Sequence, residues 1–248
     1  MKSSLCILFL LASHWAVSQS LDKMITFPSE DGIIISADLY QIHEKSAPFI
    51  VLFHQANWSR GEYNEIAPIL NTLGYNCMAV DLRSGGAINN VTNLTKLNAV
   101  KAMKATQYVD AMQDMRAAVQ YAKRHFAQGK LIIWGSSYSS ALALKLAGQI
   151  GDQIDGVLAF SPAEYFTSQG KPRDFITSDA VKIAKPTFIT SAKSEKNGWW
   201  GIYVSILSDK KTYYLPESVG NHGSKALWSQ YPDSEGYWQA VKAFLKTI

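Results

Sequence analysis

The residues Gly135-Ser136-Ser137-Tyr138-Ser139 follow directly on the apolar run Leu131-Ile132-Ile133-Trp134 and lead into a segment where Leu142 and Leu146 recur at helical spacing. A buried strand that turns sharply into a helix through small residues holds its apex side chain above the strand end, and the apex here is Ser137. A hydroxyl fixed in that place is a nucleophile for acyl transfer. The next backbone N–H, that of Tyr138, is then placed to stabilise an oxyanion, while the Tyr138 ring faces either a substrate or the sheet. A serine-rich turn is in many proteins no more than a helix N-cap. What lifts this one above that reading is the strand immediately before it.

Such a turn needs a rigid sheet behind it, and the chain supplies alternating strand and helix signals. Gly32 to Tyr40 alternates apolar and polar residues, as a half-exposed strand does, and Met24 to Phe27 can pair with it. Phe49-Ile50-Val51-Leu52-Phe53 and Cys77-Met78-Ala79-Val80 are continuously apolar, which fits strands buried on both faces. Gly156 to Phe160, Thr187 to Thr190 and Lys211 to Leu215 complete the set of expected strands. Helical periodicity runs from Tyr63 to Leu73, from Tyr108 to Ala122, around Trp199 to Leu207 and from Tyr237 to Ile248. Strands separated by helices imply right-handed crossovers and an α/β fold: a doubly wound, mostly parallel sheet with helices on both faces. In that architecture chemistry sits beyond the carboxyl ends of the strands. The stretch from Gly85 to about Thr106 shows no structural period and is expected as a long loop able to reach over the cleft.

Composition narrows the class. Of 248 residues 18% are charged and 47% hydrophobic, with 24 Lys plus Arg against 20 Asp plus Glu. That is too apolar for a disordered chain, and the length suits one domain. Basic residues are scattered, so no nucleic-acid partner is expected. Two cysteines, Cys6 and Cys77, make neither a disulfide framework nor a metal cluster. Lys2, the apolar run Leu5 to Ala12 and the small residues Ala16-Val17-Ser18 have the three-part form of a secretory signal peptide, here residues 1–18. The apolar run is about half of the roughly 20 residues that span a bilayer, so no membrane span is expected and the localisation is secreted or periplasmic. Cys6 leaves with the signal, and Cys77, inside an expected strand, reads as a structural thiol.

The turn and the strand order together resemble the α/β-hydrolase superfamily, nearest to its dienelactone-hydrolase-like and serine-esterase branch, across residues 21–248. Ser139 stands where that pattern has Gly. The resemblance implies a nucleophile, acid and histidine in that chain order. It places the histidine at His222, in Gly220-Asn221-His222-Gly223 between the last strand and the C-terminal helix, as general base. It places the acid at Glu195, after the strand ending near Ser191, with Glu164 in Ser161-Pro162-Ala163-Glu164 as the alternative and Asp174 and Asp179 as further candidates. His54-Gln55-Ala56 resembles the segment that supplies the second oxyanion donor, which puts that role on the Gln55 backbone N–H, with His54 itself structural. Asp81-Leu82-Arg83-Ser84-Gly85-Gly86 resembles a loop-scaffolding turn of the family.

Trp58 and Trp199 are the expected aromatic pocket walls. About twenty residues separate Phe166 from Pro186, too few for a separate lid domain, so the cleft is expected to be open. Neither a metal nor a cofactor is required, because no ligand-type cluster has the spacing for one. Asn57-Trp58-Ser59, Asn90-Val91-Thr92 and Asn93-Leu94-Thr95 are formal glycosylation sequons. The expected function is a secreted serine hydrolase acting on small esters or related acyl compounds through an acyl-enzyme. A peptidase or thioesterase on the same machinery and a non-catalytic binding protein on a hydrolase scaffold are the alternatives.

Overall fold

The computed structural model describes residues 23–248, and the expected signal peptide lies outside them. The chain opens with a hairpin of β1 (Lys23–Pro28) and β2 (Ile34–Tyr40). It then runs through β3 (Phe49–Phe53), α1 (Ile66–Thr72), β4 (Asn76–Val80), a short pair β5 (Ala87–Ile88) and β6 (Val91–Thr92), α2 (Leu94–Lys101) and α3 (Ala111–His125). The second half is β7 (Leu131–Ser136), α4 (Tyr138–Gln149), β8 (Gly156–Phe160), α5 (Thr177–Ala180), β9 (Thr187–Thr190), α6 (Lys196–Ser205), β10 (Lys211–Tyr214) and α7 (Ser234–Leu245). Eight strands form one sheet in the order β1-β2-β4-β3-β7-β8-β9-β10. It is parallel from β4 to β10, with β1 and β2 antiparallel at one edge. The doubly wound α/β arrangement expected from the sequence is therefore what forms.

The apolar runs explain the central strands. Every residue of β3, β4, β7 and β8 is buried, and alternate side chains enter opposite layers. Phe49, Val51 and Phe53 pack with Met115 and Val119 of α3 and Leu142 of α4. Ile50 and Leu52 pack with Leu70 of α1 and Val241 and Phe244 of α7. Each such fully buried side chain stabilises the fold by about 1.5–3 kcal/mol. Cys77 belongs to the second layer, and burial pushes its thiol far above the usual range, so it stays protonated. Between β8 and β9 lie only a 3₁₀ turn and the short α5, and no large lid covers the strand ends.

Three segments differ from expectation. The helix expected from Tyr63 begins at Ile66, because Ser59 accepts the Gly61 N–H and folds Arg60–Tyr63 into a 3₁₀ turn first. Tyr108–Asp110 is likewise a 3₁₀ turn ahead of α3. The stretch expected as a structureless loop holds β5, β6 and α2. Asn93 caps α2 by accepting the Lys96 N–H at 2.8 Å, and only Thr95 and Ala99 of the helix are buried, which leaves no apolar period to see. Ser59 Oγ donates to Val91 O and Asn98 Nδ2 to Ile34 O, so the segment is pinned to its own flank of the sheet. The Asn93 amide is buried and donates to Leu82 O at 2.9 Å and Trp58 O at 3.2 Å, which removes that sequon as a glycan acceptor in the folded chain.

The Asp81-to-Gly86 turn is scaffolding of a charged kind. Asp81 accepts from Arg60 Nη1, Arg60 N and Leu94 N, while Arg83 donates to Asp114 of α3, to Asp31 and to Ser29. The Arg83 guanidinium holds Asp31 down to about 2. That contribution to stability is present above the ordinary carboxylate range, near 4, and is lost as the pH falls through about 2. Asp114 is fully buried, so Asp114→Ala leaves a buried guanidinium short of the more deeply buried of its two anions. It is expected to cost about 3–5 kcal/mol of stability, measured by urea unfolding.

Candidate active site

Ser137 sits between β7 and α4 with φ 58° and ψ −124°, a strained conformation that carries its side chain up and off the end of the sheet. Its own N–H is pinned to Phe160 O on the neighbouring strand at 2.7 Å. The turn admits only a glycine at position 135, where a Cβ would come within 2.4 Å of Ser139 O. Ser139, in place of the family's glycine, is fully buried. Its hydroxyl accepts the Ser136 N–H and is shared between Phe53 O and Ser136 O, all at 2.9 Å, so it braces the turn against β3.

His222 arrives on the loop after β10. Its Nε2 lies 2.8 Å from Ser137 Oγ and its Nδ1 2.6 Å from Glu195 Oε1. Gly223, at φ 72°, lets the loop turn down against the sheet, since a Cβ there would meet Ser136 Oγ at 2.6 Å. Glu195 lies in the 3₁₀ turn Lys193–Glu195 after β9, and its other oxygen accepts Ser161 Oγ–H at 2.6 Å and the Ala192 N–H at 3.2 Å. Burial alone would raise its pKa, but the hydrogen bonds from His222 and Ser161 outweigh burial and hold it below the usual range. The flanking lysines turn away: Lys193 donates to Glu217 O, and Lys196 lies over the Trp200 ring.

The other acids are elsewhere. Glu164 accepts from Ile176 N, Thr177 N and Thr177 Oγ1 and so caps α5, far from any role toward His222. Asp179 is held by Lys145, Lys182 and Gln149. His54 is a buried neutral imidazole, lowered to about 4 by desolvation. It donates from Nδ1 to Gln55 O, and its Nε2 accepts the Leu82 N–H, which makes it a tie between two loops.

Two expected residues need correction. The Gln55 N–H donates to Glu62 Oε2 at 2.7 Å and is not free to hold an oxyanion. The next N–H, that of Ala56, makes no hydrogen bond among the described residues, and neither does the Tyr138 N–H, which as the first of its helix has no intrahelical acceptor. Trp199 is 0% exposed, with Nε1 donating to Ser191 Oγ and its ring among Trp200, Tyr203 and Tyr213, so it is core and cannot touch a substrate. Trp58 remains half-buried, stacked on Trp228 at 5.3 Å. The Tyr138 ring points inward, with its hydroxyl 2.6 Å from Ser84 Oγ and its ring stacked on Tyr108.

Two residues without a motif join the site. Ser161, itself at φ 57°, donates to Glu195 and accepts the Gly223 N–H at 2.9 Å, locking the acid to the histidine loop. Tyr165 donates to Ser161 O, and burial pushes its phenol up to about 12. Both lie after β8 in a segment whose only sequence signal was its place at a strand end.

A family model described as serine aminopeptidase, S33, matches residues 44–196. No curated protein matches the chain by sequence. Among solved structures, the Pyrococcus furiosus esterase Pf2001 is similar at TM-score 0.68 and 17% identity, covering 91% of both chains. A dienelactone hydrolase from Anabaena variabilis is similar at TM-score 0.69 and 12% identity, covering 91% of this chain and 96% of that one. A soluble variant of monoglyceride lipase from Saccharomyces cerevisiae is similar at TM-score 0.62 and 13% identity, covering 96% and 98%. At these identities the structures show a shared fold.

Proposed function

Since the chain belongs to the α/β-hydrolase family described as serine aminopeptidase, S33, we propose that it is an exported serine hydrolase that cleaves esters or related acyl compounds through Ser137, His222 and Glu195. The observation that carries this reading is the unbroken line from Ser137 Oγ to His222 Nε2 at 2.8 Å and from His222 Nδ1 to Glu195 Oε1 at 2.6 Å. Ser137 Oγ attacks the carbonyl carbon as His222 takes its proton, and Glu195 accepts the Nδ1–H and stabilises the imidazolium. The N–H groups of Tyr138 and Ala56 receive the oxyanion. His222 then protonates the leaving group, and a water, activated by the same imidazole, releases the acyl group from Ser137.

Esters are favoured over peptides with a free amino terminus by the state of the nearby carboxylates. An ammonium group needs an unengaged anion at the cleft, whereas Glu62 and Glu195 are both committed to protein donors. Trp58, half-exposed after β3, offers an apolar wall for the acyl or alcohol part. Export rests on Lys2, the Leu5-to-Ala12 run and Ala16-Val17-Ser18. No helix among the described residues is long and apolar enough to cross a membrane.

The test is to treat the purified protein with a fluorophosphonate, map the adduct by mass spectrometry, and compare p-nitrophenyl esters with aminoacyl anilides. The adduct is expected on Ser137, with turnover of esters exceeding that of anilides. Absence of an adduct would leave a binding protein on this scaffold, and preference for the anilides would move the substrate class to peptides.

A further inference from the structure

Glu62 lies in the 3₁₀ turn Arg60–Tyr63 that follows β3 and is 0% exposed, yet no cationic side chain pairs with it among the described residues. Its two oxygens are met by one donor each: the Gln55 N–H on Oε2 at 2.7 Å and Ser136 Oγ–H on Oε1 at 2.7 Å. Ser136 Oγ in turn accepts the Ser224 N–H at 2.8 Å, two residues beyond His222. The backbone of Glu62 is fixed as well, with its N–H on Ser59 O and its carbonyl accepting Trp228 Nε1–H at 2.9 Å. All the hydrogens around the carboxyl group point toward it, the arrangement that suits the ionised form. Burying a carboxylate without a counter-ion is costly, and a residue there only to fill space would be apolar.

We propose that Glu62 is a positioning residue for the hydrolytic centre. It joins the loop carrying the Ala56 N–H, the strand end under Ser137 and, through Ser136, the loop carrying His222, and its negative charge favours the imidazolium that forms during turnover. This rests on the reading of Ser137, His222 and Glu195 given above. The charged and titratable groups that feel Glu62 are His222 and Lys225 from the loop and turn after β10, Tyr63 from its own turn and Tyr138 from α4. Lys225 extends toward the Trp58 ring at 6.0 Å.

Desolvation pushes Glu62 up to about 7 against the hydrogen bonds from Ser136 and Gln55. A group raised in the folded state holds its proton more tightly there than in the unfolded chain. Its contribution to stability is therefore complete below the ordinary range near 4.5 and declines as the pH rises through about 7. Activity needs the opposite form, the carboxylate. Stability and activity thus pull in opposite directions on this side chain, which separates positioning from simple packing.

The experiment measures kcat, KM and melting temperature from pH 5 to 9 for wild type, Glu62→Gln and Ser136→Ala with a p-nitrophenyl ester. For Glu62→Gln at pH 8, kcat is expected to fall on the order of 10- to 100-fold, the size of one hydrogen bond to a charged group, with KM little changed. Its melting temperature at pH 8 is expected to equal or exceed that of wild type, and its kcat profile to lose an ionisation near pH 7. Ser136→Ala, which removes the Oε1 donor and with it the link to the histidine loop but keeps the carboxylate and its Gln55 bond, is expected to lose kcat in the same direction by less. Wild-type kcat in Glu62→Gln, or a loss matched by a lower melting temperature at pH 8, overturns the proposal. If Glu62→Gln does not fold, Ser136→Ala decides: reduced kcat supports the link and wild-type kcat refutes it. A wild type that neither labels nor turns over esters removes the parent reading and this one with it, whereas an active wild type beside an unchanged Glu62→Gln removes this one alone.

Discussion

Ser137→Ala is expected to lower kcat/KM for a p-nitrophenyl ester by about 10⁴- to 10⁶-fold and to abolish the fluorophosphonate adduct. The loss is large because the hydroxyl is the only atom of the line that forms a bond to the substrate, and His222 without it has no proton to take. The residual rate reflects the Tyr138 and Ala56 N–H groups, which still polarise the carbonyl. Folding is expected to survive the change. Ser137 Oγ meets His222 Nε2, and His222 keeps its bond to Glu195. The side chain is held at φ 58° by the backbone around it, so alanine inherits the strain without adding to it. A variant that folds, binds the ester with unaltered KM and does not turn over is the expected result, read by steady-state kinetics beside circular dichroism. Retained labelling in Ser137→Ala would move the nucleophile elsewhere.

How much of this was legible in the chain depends on what kind of contact does the work. The central strands were readable because burial on both faces leaves an unbroken apolar run, as in Phe49 to Phe53. The turn at Ser137 was readable because the steric demand at Gly135 restricts residue type after an apolar strand, and His222 because the resemblance places a histidine in the loop between the last strand and the C-terminal helix. Glu195 was open to rivals, since an acid among lysines looks solvated until tertiary contacts draw Lys193 and Lys196 aside. Other features had no local trace. Helix α2 buries two small residues and forms through the Asn93 cap, which periodicity does not register. The Gln55 N–H is lost as an oxyanion donor because a carboxylate seven residues on captures it. Trp199 looked like a wall from its place after a strand, but its indole N–H needed an acceptor and found Ser191 inside the core. Main-chain donors and buried polar partners are set by three-dimensional juxtaposition, and residue type alone does not encode them.

Glu195→Gln is expected to lower kcat by about 10³- to 10⁴-fold, and the hydrogen bonds around it say why. Oε2 receives two donors, Ser161 Oγ–H and the Ala192 N–H, so the amide oxygen of glutamine settles there and the amide nitrogen faces His222 Nδ1. A donor opposite Nδ1 makes that nitrogen an acceptor and moves the imidazole proton to Nε2. That nitrogen then confronts Ser137 Oγ with a hydrogen instead of a lone pair and cannot take the serine proton. The loss is one of tautomer and charge with geometry intact, so KM and the melting temperature are expected to change little. Glu164→Gln serves as the comparison, because Glu164 caps α5 through Ile176 and Thr177. It is expected to cost about 1 kcal/mol of stability and to leave kcat within a factor of about three. Ser161→Ala in the Glu195→Gln background removes one of the two donors that fix the amide, and partial recovery of kcat there would tie the loss to amide orientation. Losses for Glu164→Gln equal to or greater than those for Glu195→Gln would remove Glu195 from the role and leave His222 without its acid.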